Sequence, residues 1–221
     1  CLSGTILAAV SAMLASIVAA RQETPDASRR WMRMTRWLIL AIGLLFTGAI
    51  GLLLTALQTD DFRISYVASY SERAMFAGYK FAALWAGQAG SLLLWAWLLS
   101  MLSAVAVFGW RKLDGREHAL AHCMLALACG FFGTLLLFTA NPFDLVEGGA
   151  AADGHGLNPQ LQDLAMIIHP PLLFLGYAEF TMPFAMLVGV LVKRPSDNKW
   201  LGTIRRWVLF SWVFLGAGIV M

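Results

Sequence analysis

The feature that most constrains this chain is its series of apolar runs about 20 residues long, separated by short polar intervals. A helix of that length crosses the ~30 Å hydrocarbon layer of a bilayer, and several such runs in sequence point to a bundle that is repeatedly threaded through it. Of the 221 residues, 59% are hydrophobic and 13% charged, where a soluble domain has roughly 45–50% and 25%. The expected fold is all-α, a polytopic transmembrane helical bundle forming a single domain over residues 1–221. A net charge of +3 would raise the question of nucleic acid in a soluble protein. Here the basic residues lie between the runs, where membrane topology accounts for them, so no nucleic-acid partner is implied.

Six spans are expected, beginning near Leu2, Trp37, Phe81, Ala119, Pro171 and Trp207. Gly43, Gly48 and Gly51 in span two favour close helix packing. Arg21, Arg29, Arg30, Arg33 and Arg36 follow span one, Arg111, Lys112 and Arg116 follow span three, and Lys193, Arg194, Lys199, Arg205 and Arg206 follow span five. The intervals after spans two and four hold only Arg63, Arg73 and Lys80, with acidic residues. The positive-inside rule therefore places the N-terminus outside and both long polar intervals on the extracytoplasmic face. Cys1, Cys123 and Cys129 are too few and scattered for a disulfide framework. The chain starts at Cys1 and stops at Met221 within an apolar run, which suggests a fragment, a processed product or one piece of a split protein.

Two stretches carry the chemistry. In the first, Asn158-Pro159 reads as an N-cap with proline at the first helical position. Leu161, Leu164, Ile167 and Ile168 then follow at helical spacing. This predicts a short amphipathic helix lying in the interface before span five. It should end at His169, because a residue before proline is pushed out of the α region. His169 would thus stand at a break between two helices. A neutral imidazole there can ligate a metal or haem iron, while residue type and position alone favour an ordinary interfacial histidine that hydrogen-bonds the loop.

The second stretch runs from Trp85 to Trp95. Helical spacing puts Trp85, Gln88, Leu92 and Trp95 on one face beside Gly87 and Gly90, a surface suited to the edge of a flat ring. An aromatic belt with a small-residue packing face explains the same residues. Glu179 lies within span five, where an acidic group is costly and is usually functional or paired; Lys80 or Tyr79 is its expected partner. His118 and His122, at i and i+4, have the spacing of a shared metal pair, but only Cys123 offers a third ligand. His155 sits among glycines, where a turn accounts for it. No nucleotide-binding loop, serine elbow or closed zinc site is present in the sequence.

Five stretches occur in fixed order: Tyr66-Val67-Ala68-Ser69; Trp85 through Gly90-Ser91-Leu92-Leu93-Leu94-Trp95; Asn141-Pro142-Phe143; Gly156 through Asp163; and Ile168-His169-Pro170-Pro171-Leu172 through Leu175-Gly176-Tyr177. Together they resemble the N-terminal part of the CcmF/NrfE haem lyase family of cytochrome c maturation. The resemblance implies a bacterial inner-membrane subunit that receives haem b from a periplasmic haem chaperone. With other membrane subunits of the maturation system, it assists thioether attachment of that haem to apocytochrome c. It implies His169 as an outward-facing axial ligand or positioning residue for the haem, with Trp85, Gln88, Trp95 and Tyr177 as the residues around the cofactor. Many members have His-Glu where this chain has Gln88-Ala89, and a small residue in place of Glu179. The alternatives are a non-catalytic scaffold of the maturation complex, and a proton-coupled transporter or respiratory subunit built around Glu179.

Overall fold

A computed structural model describes residues 1–110, 116–193 and 198–221. Six helices in it are long and apolar enough to cross a membrane. They are α1 (Leu2–Arg21), α2 (Pro25–Gln58), α5 (Gln88–Gly109), α6 (Arg116–Phe138), α7 (Ala165–Lys193) and α8 (Lys199–Val220). Two short helices, α3 (Ser65–Tyr70) and α4 (Ala77–Ala82), and two 3-10 turns, Ala83–Trp85 and Pro159–Leu161, lie in the polar intervals. Helix α1 packs between α2 and α6, α5 lies against α2, α6 and α7, and α8 leans on α7. Arg111, Lys112 and Arg194 lie outside the described residues.

The core is the shared inner face of these helices. Ile39, Ile42, Phe46, Leu53 and Leu57 of α2 are buried with Leu93 and Leu99 of α5, Leu125 and Leu136 of α6, and Met182 and Met186 of α7. Large apolar side chains point outward all round, among them Leu7, Leu14, Leu44, Leu52, Phe131 and Leu191. That pattern suits a bundle surrounded by hydrocarbon, in which backbone polar groups have to find their partners inside the protein. Small residues set the close approaches: a Cβ on Gly176 of α7 would come within 2.7 Å of the Leu215 backbone nitrogen in α8.

Two boundaries and one packing expectation differ from what the sequence predicts. Span two is only the inner part of α2, which is 34 residues long, about 51 Å at 1.5 Å per residue. The segment read as a loop, from Pro25 to Arg36, is helical: Pro25 opens it at a first position where its missing N–H costs nothing. Of the three glycines expected to pack, Gly43 abuts Met101, whereas Gly48 and Gly51 face open space. Span three begins at Gln88 rather than near Phe81, because Gly87 is extended (φ −110°, ψ 165°) and separates α5 from the preceding 3-10 turn.

The fourth difference concerns His169. A short helix does precede span five, with Pro159 at its first position and the Asn158 side chain accepting the Gln160 N–H at 3.0 Å. It is one 3-10 turn, and it does not run on to His169. Helix α7 starts at Ala165 and continues through Pro170 and Pro171. His169 is therefore inside α7. The prolines remove main-chain bonds without ending the helix, since each lacks only its own N–H and the turns on either side still close.

Candidate functional site

The two polar intervals meet at one end of the bundle. Ser65 N–H donates to Asp144 O at 2.8 Å and Val146 N–H to Arg63 O at 2.9 Å, around an isolated antiparallel bridge between Ile64 and Leu145. The segment 153–156 caps the C-terminus of α3. His155 N–H donates to Ala68 O at 2.8 Å, Gly156 N–H to Ser71 O at 3.0 Å, and the His155 Nδ1 lies 3.1 Å from the same Ala68 carbonyl. Helix ends leave carbonyls unsatisfied, and this loop supplies the donors. Asp153 holds the turn by accepting the N–H groups of Arg73 and Gly154 at 3.1 and 2.8 Å. Those two bonds keep its carboxyl below its ordinary range. His155 is thus a structural residue of the turn.

The mouth of α5 is built on Tyr66. Its hydroxyl donates toward the carbonyls of Ala83 and Leu84 (2.9 and 3.1 Å) and accepts the Gly87 N–H at 3.0 Å. Burial pushes this phenol above its usual range, so it stays protonated as a donor. A Cβ on Gly90 would overlap both the Leu84 carbonyl oxygen and the Tyr66 hydroxyl. The chain can double back here because position 90 has no side chain. Tyr66 belongs to one of the stretches that carry the family resemblance, but no role follows for it from the sequence; its place in a Tyr-Val-Ala-Ser-Tyr run within a polar interval is the signal that marks it.

This turn disperses the proposed tryptophan face. Trp85 precedes Gly87 and does not share a helix face with Gln88 and Trp95. It is 4% exposed, stands edge-on to Phe81 (centroids 5.1 Å apart), and donates its indole N–H to Met166 O at 2.8 Å. Gln88 is exposed at the first position of α5. Trp95 lies deeper and packs against Phe132, Phe174 and Tyr177 at centroid distances of 5.0, 5.8 and 5.9 Å. The structure therefore joins Trp95 to Tyr177, and Trp85 to the first turn of α7, but does not merge the two groups into one helical face.

His169 is half-buried in the second turn of α7. Its Nδ1 is enclosed without a hydrogen-bond partner among the described residues. Around this mouth Leu164 (72% exposed), Ile168 (52%) and Phe81 (44%) present apolar side chains outward. A half-buried imidazole set among exposed apolar groups is the kind of donor and surrounding that can hold a porphyrin.

The remaining candidates lie elsewhere. Lys80 forms a two-oxygen ion pair with Asp60 at 2.6 and 2.8 Å, and the Tyr79 hydroxyl donates to Gln162 O at 3.2 Å. Neither pairs with Glu179, so that expectation is corrected. Glu179 is buried in α7 with Oε2 unpartnered among the described residues. His118 and His122 are buried at the opposite end of the bundle against Trp110, whose ring is near-parallel to that of His122. No group of three His, Cys, Asp or Glu side chains converges among the described residues.

The model of the family described as "Cytochrome C assembly protein" matches residues 85–221. Among curated proteins, the cytochrome c-type biogenesis protein NrfE of Haemophilus influenzae is 41% identical over 79% of this chain and 27% of its own length. The cytochrome c-type biogenesis protein CcmF of Pseudomonas fluorescens is 38% identical over 98% of this chain and 33% of its own length. A solved structure titled "Cytochrome c Heme Lyase CcmF" superposes with a TM-score of 0.81 at 25% identity, covering 98% of this chain and 33% of that one. The chain spans about a third or less of the length of these relatives. It belongs to the cytochrome c assembly protein family, within its CcmF/NrfE group.

Proposed function

We propose that this chain is the haem-handling portion of a cytochrome c maturation haem lyase. It lies in the bacterial inner membrane and presents haem b at the loop end of its bundle, on the periplasmic side. The observation that carries the proposal is the state of His169: its Nδ1 is enclosed and unpartnered among the described residues, its ring is half-buried beside exposed apolar side chains, and it is held by a helix rather than a free loop. A ligand on a helix is placed more reproducibly than one on a loop.

His169 would hold the iron through Nε2, and the apolar surfaces of Leu164, Ile168 and Phe81 would exclude water from the ring. When bound, the haem supplies the vinyl groups that become thioethers with the two cysteine thiols of apocytochrome c. This chain's own contribution is to bind and orient, so that intermolecular addition takes place within a fixed encounter. A haem chaperone delivers the cofactor, and other membrane subunits of the maturation system complete the complex.

The test is His169→Ala in the complete protein, in cells lacking the native gene. Loss of an outer-shell partner alone lowers metal affinity roughly 10- to 100-fold. Mature, haem-staining cytochrome c should therefore fall at least that much while the variant accumulates normally in the membrane. Undiminished maturation would remove His169 from the site.

A further inference from the structure

We infer that Trp85 is a positioning residue for His169, acting through the main-chain carbonyl of Met166. This rests on the reading of His169 as the haem-facing imidazole. In an uninterrupted helix the carbonyl of Met166 would accept the N–H of residue 170. That residue is Pro170, which has none, and Pro171 deprives Ile167 in the same way. Two consecutive carbonyls in the turn around His169 thus lose their helical donors. Trp85 supplies one of them: its indole Nε1–H lies 2.8 Å from Met166 O.

The donor is itself rigidly placed. Trp85 is buried, its ring is braced edge-on by Phe81, and the turn that carries it is locked to Tyr66 through Ala83, Leu84 and Gly87. Tyr79, on the preceding helix, adds a second tie to the same region by donating to Gln162 O at 3.2 Å. The α3–α4–α5 unit therefore grips the start of α7 on either side of Leu164. His169 is three residues beyond the gripped carbonyl, one turn along, so its imidazole direction follows from where Met166 is held. The tryptophan stabilises the site by hydrogen bonding within the protein, and its N–H is not available to a cofactor.

The hypothesis has a specific suppressor. Pro170→Ala returns an N–H that can satisfy Met166 O from within the helix, which makes the indole redundant. In the full-length protein, Trp85→Phe should speed amide exchange at Ile167, Ile168 and His169 by about fivefold, the worth of one hydrogen bond. It should also lower the haem absorbance retained on purification and shift the Soret band. Trp85→Phe in the Pro170→Ala background should restore both the exchange rates and the band position.

Exchange and haem spectrum that stay altered in the double variant would overturn the inference, because packing or direct haem contact would then explain Trp85. If Trp85→Phe alone fails to accumulate, the double variant should accumulate, and its failure would count against the inference equally. His169→Ala measured in parallel separates the two claims. Unchanged haem absorbance there sinks the haem reading of His169, whereas the exchange rates report on the Trp85–Met166 contact without any haem.

Discussion

The Tyr66 hydroxyl accepts the Gly87 N–H at 3.0 Å while donating to the Ala83 carbonyl at 2.9 Å. One phenol thereby closes the turn between α4 and α5, and the lack of a side chain at Gly90 gives it room. Gly90→Ala should destabilise the protein by about 1–3 kcal/mol, the usual cost of forcing atoms into a packed site. Tyr66→Phe should cost a similar amount by leaving the Gly87 N–H buried and unpaired. Reversible unfolding in mixed detergent micelles measures both; a neutral Gly90→Ala would show that the turn relaxes freely.

Lys80 is 8% exposed and pairs with Asp60, which is 23% exposed and adopts φ +56°. Removing one partner of an enclosed ion pair costs more than removing both, because the survivor keeps its desolvation penalty. Lys80→Met should therefore be more destabilising than Lys80→Met with Asp60→Asn, and asparagine tolerates the left-handed backbone. Equal losses in the two variants, read from the same unfolding curves, would mean that the pair is not coupled.

Asp153 carries a pH dependence. Its folded-state pKa is depressed from the ordinary value of 3.8, chiefly by the Arg73 and then the Gly154 main-chain N–H groups. Its contribution to the turn is thus complete above that value and disappears as pH falls through the depressed one. Protection of the His155 amide, corrected for intrinsic exchange, should hold from neutral pH down to about 5 and fade below 3.8. Asp153→Asn, which keeps an acceptor but no titrating charge, should abolish this fading.

Glu179 has a carboxylate oxygen enclosed without a partner among the described residues. A buried polar group in that state costs about 1–3 kcal/mol, so Glu179→Met should raise stability by about 1 kcal/mol and leave cytochrome c maturation intact. Lost maturation in a well-folded Glu179→Met variant would instead assign the carboxyl a working role in maturation.

Span count and family were legible before any coordinates, because both rest on local information. About 20 apolar residues in a row report a bilayer crossing by themselves, and the ordered stretches from Tyr66 to Tyr177 are a linear pattern. The Asn158 cap and Pro159 start were equally local, and the structure contains both. The helical extension from Pro25 is hidden behind its charge, since basic runs between spans commonly form loops, although arginine and methionine are good helix formers.

What only the tertiary structure decided is which groups meet. The acceptor for the Trp85 indole lies 81 residues along the chain, and nothing in the spacing of tryptophans and glycines encodes it. Helical periodicity placed Trp85 on a face with Trp95; a phenol from α3 and an extended Gly87 turned it toward α7 instead. A proline pair was expected to end a helix, yet a donor from another segment could replace the bond that was lost. Hydropathy specifies how many helices form because burial in lipid acts on each segment alone, whereas hydrogen-bond partners are settled only when segments pack.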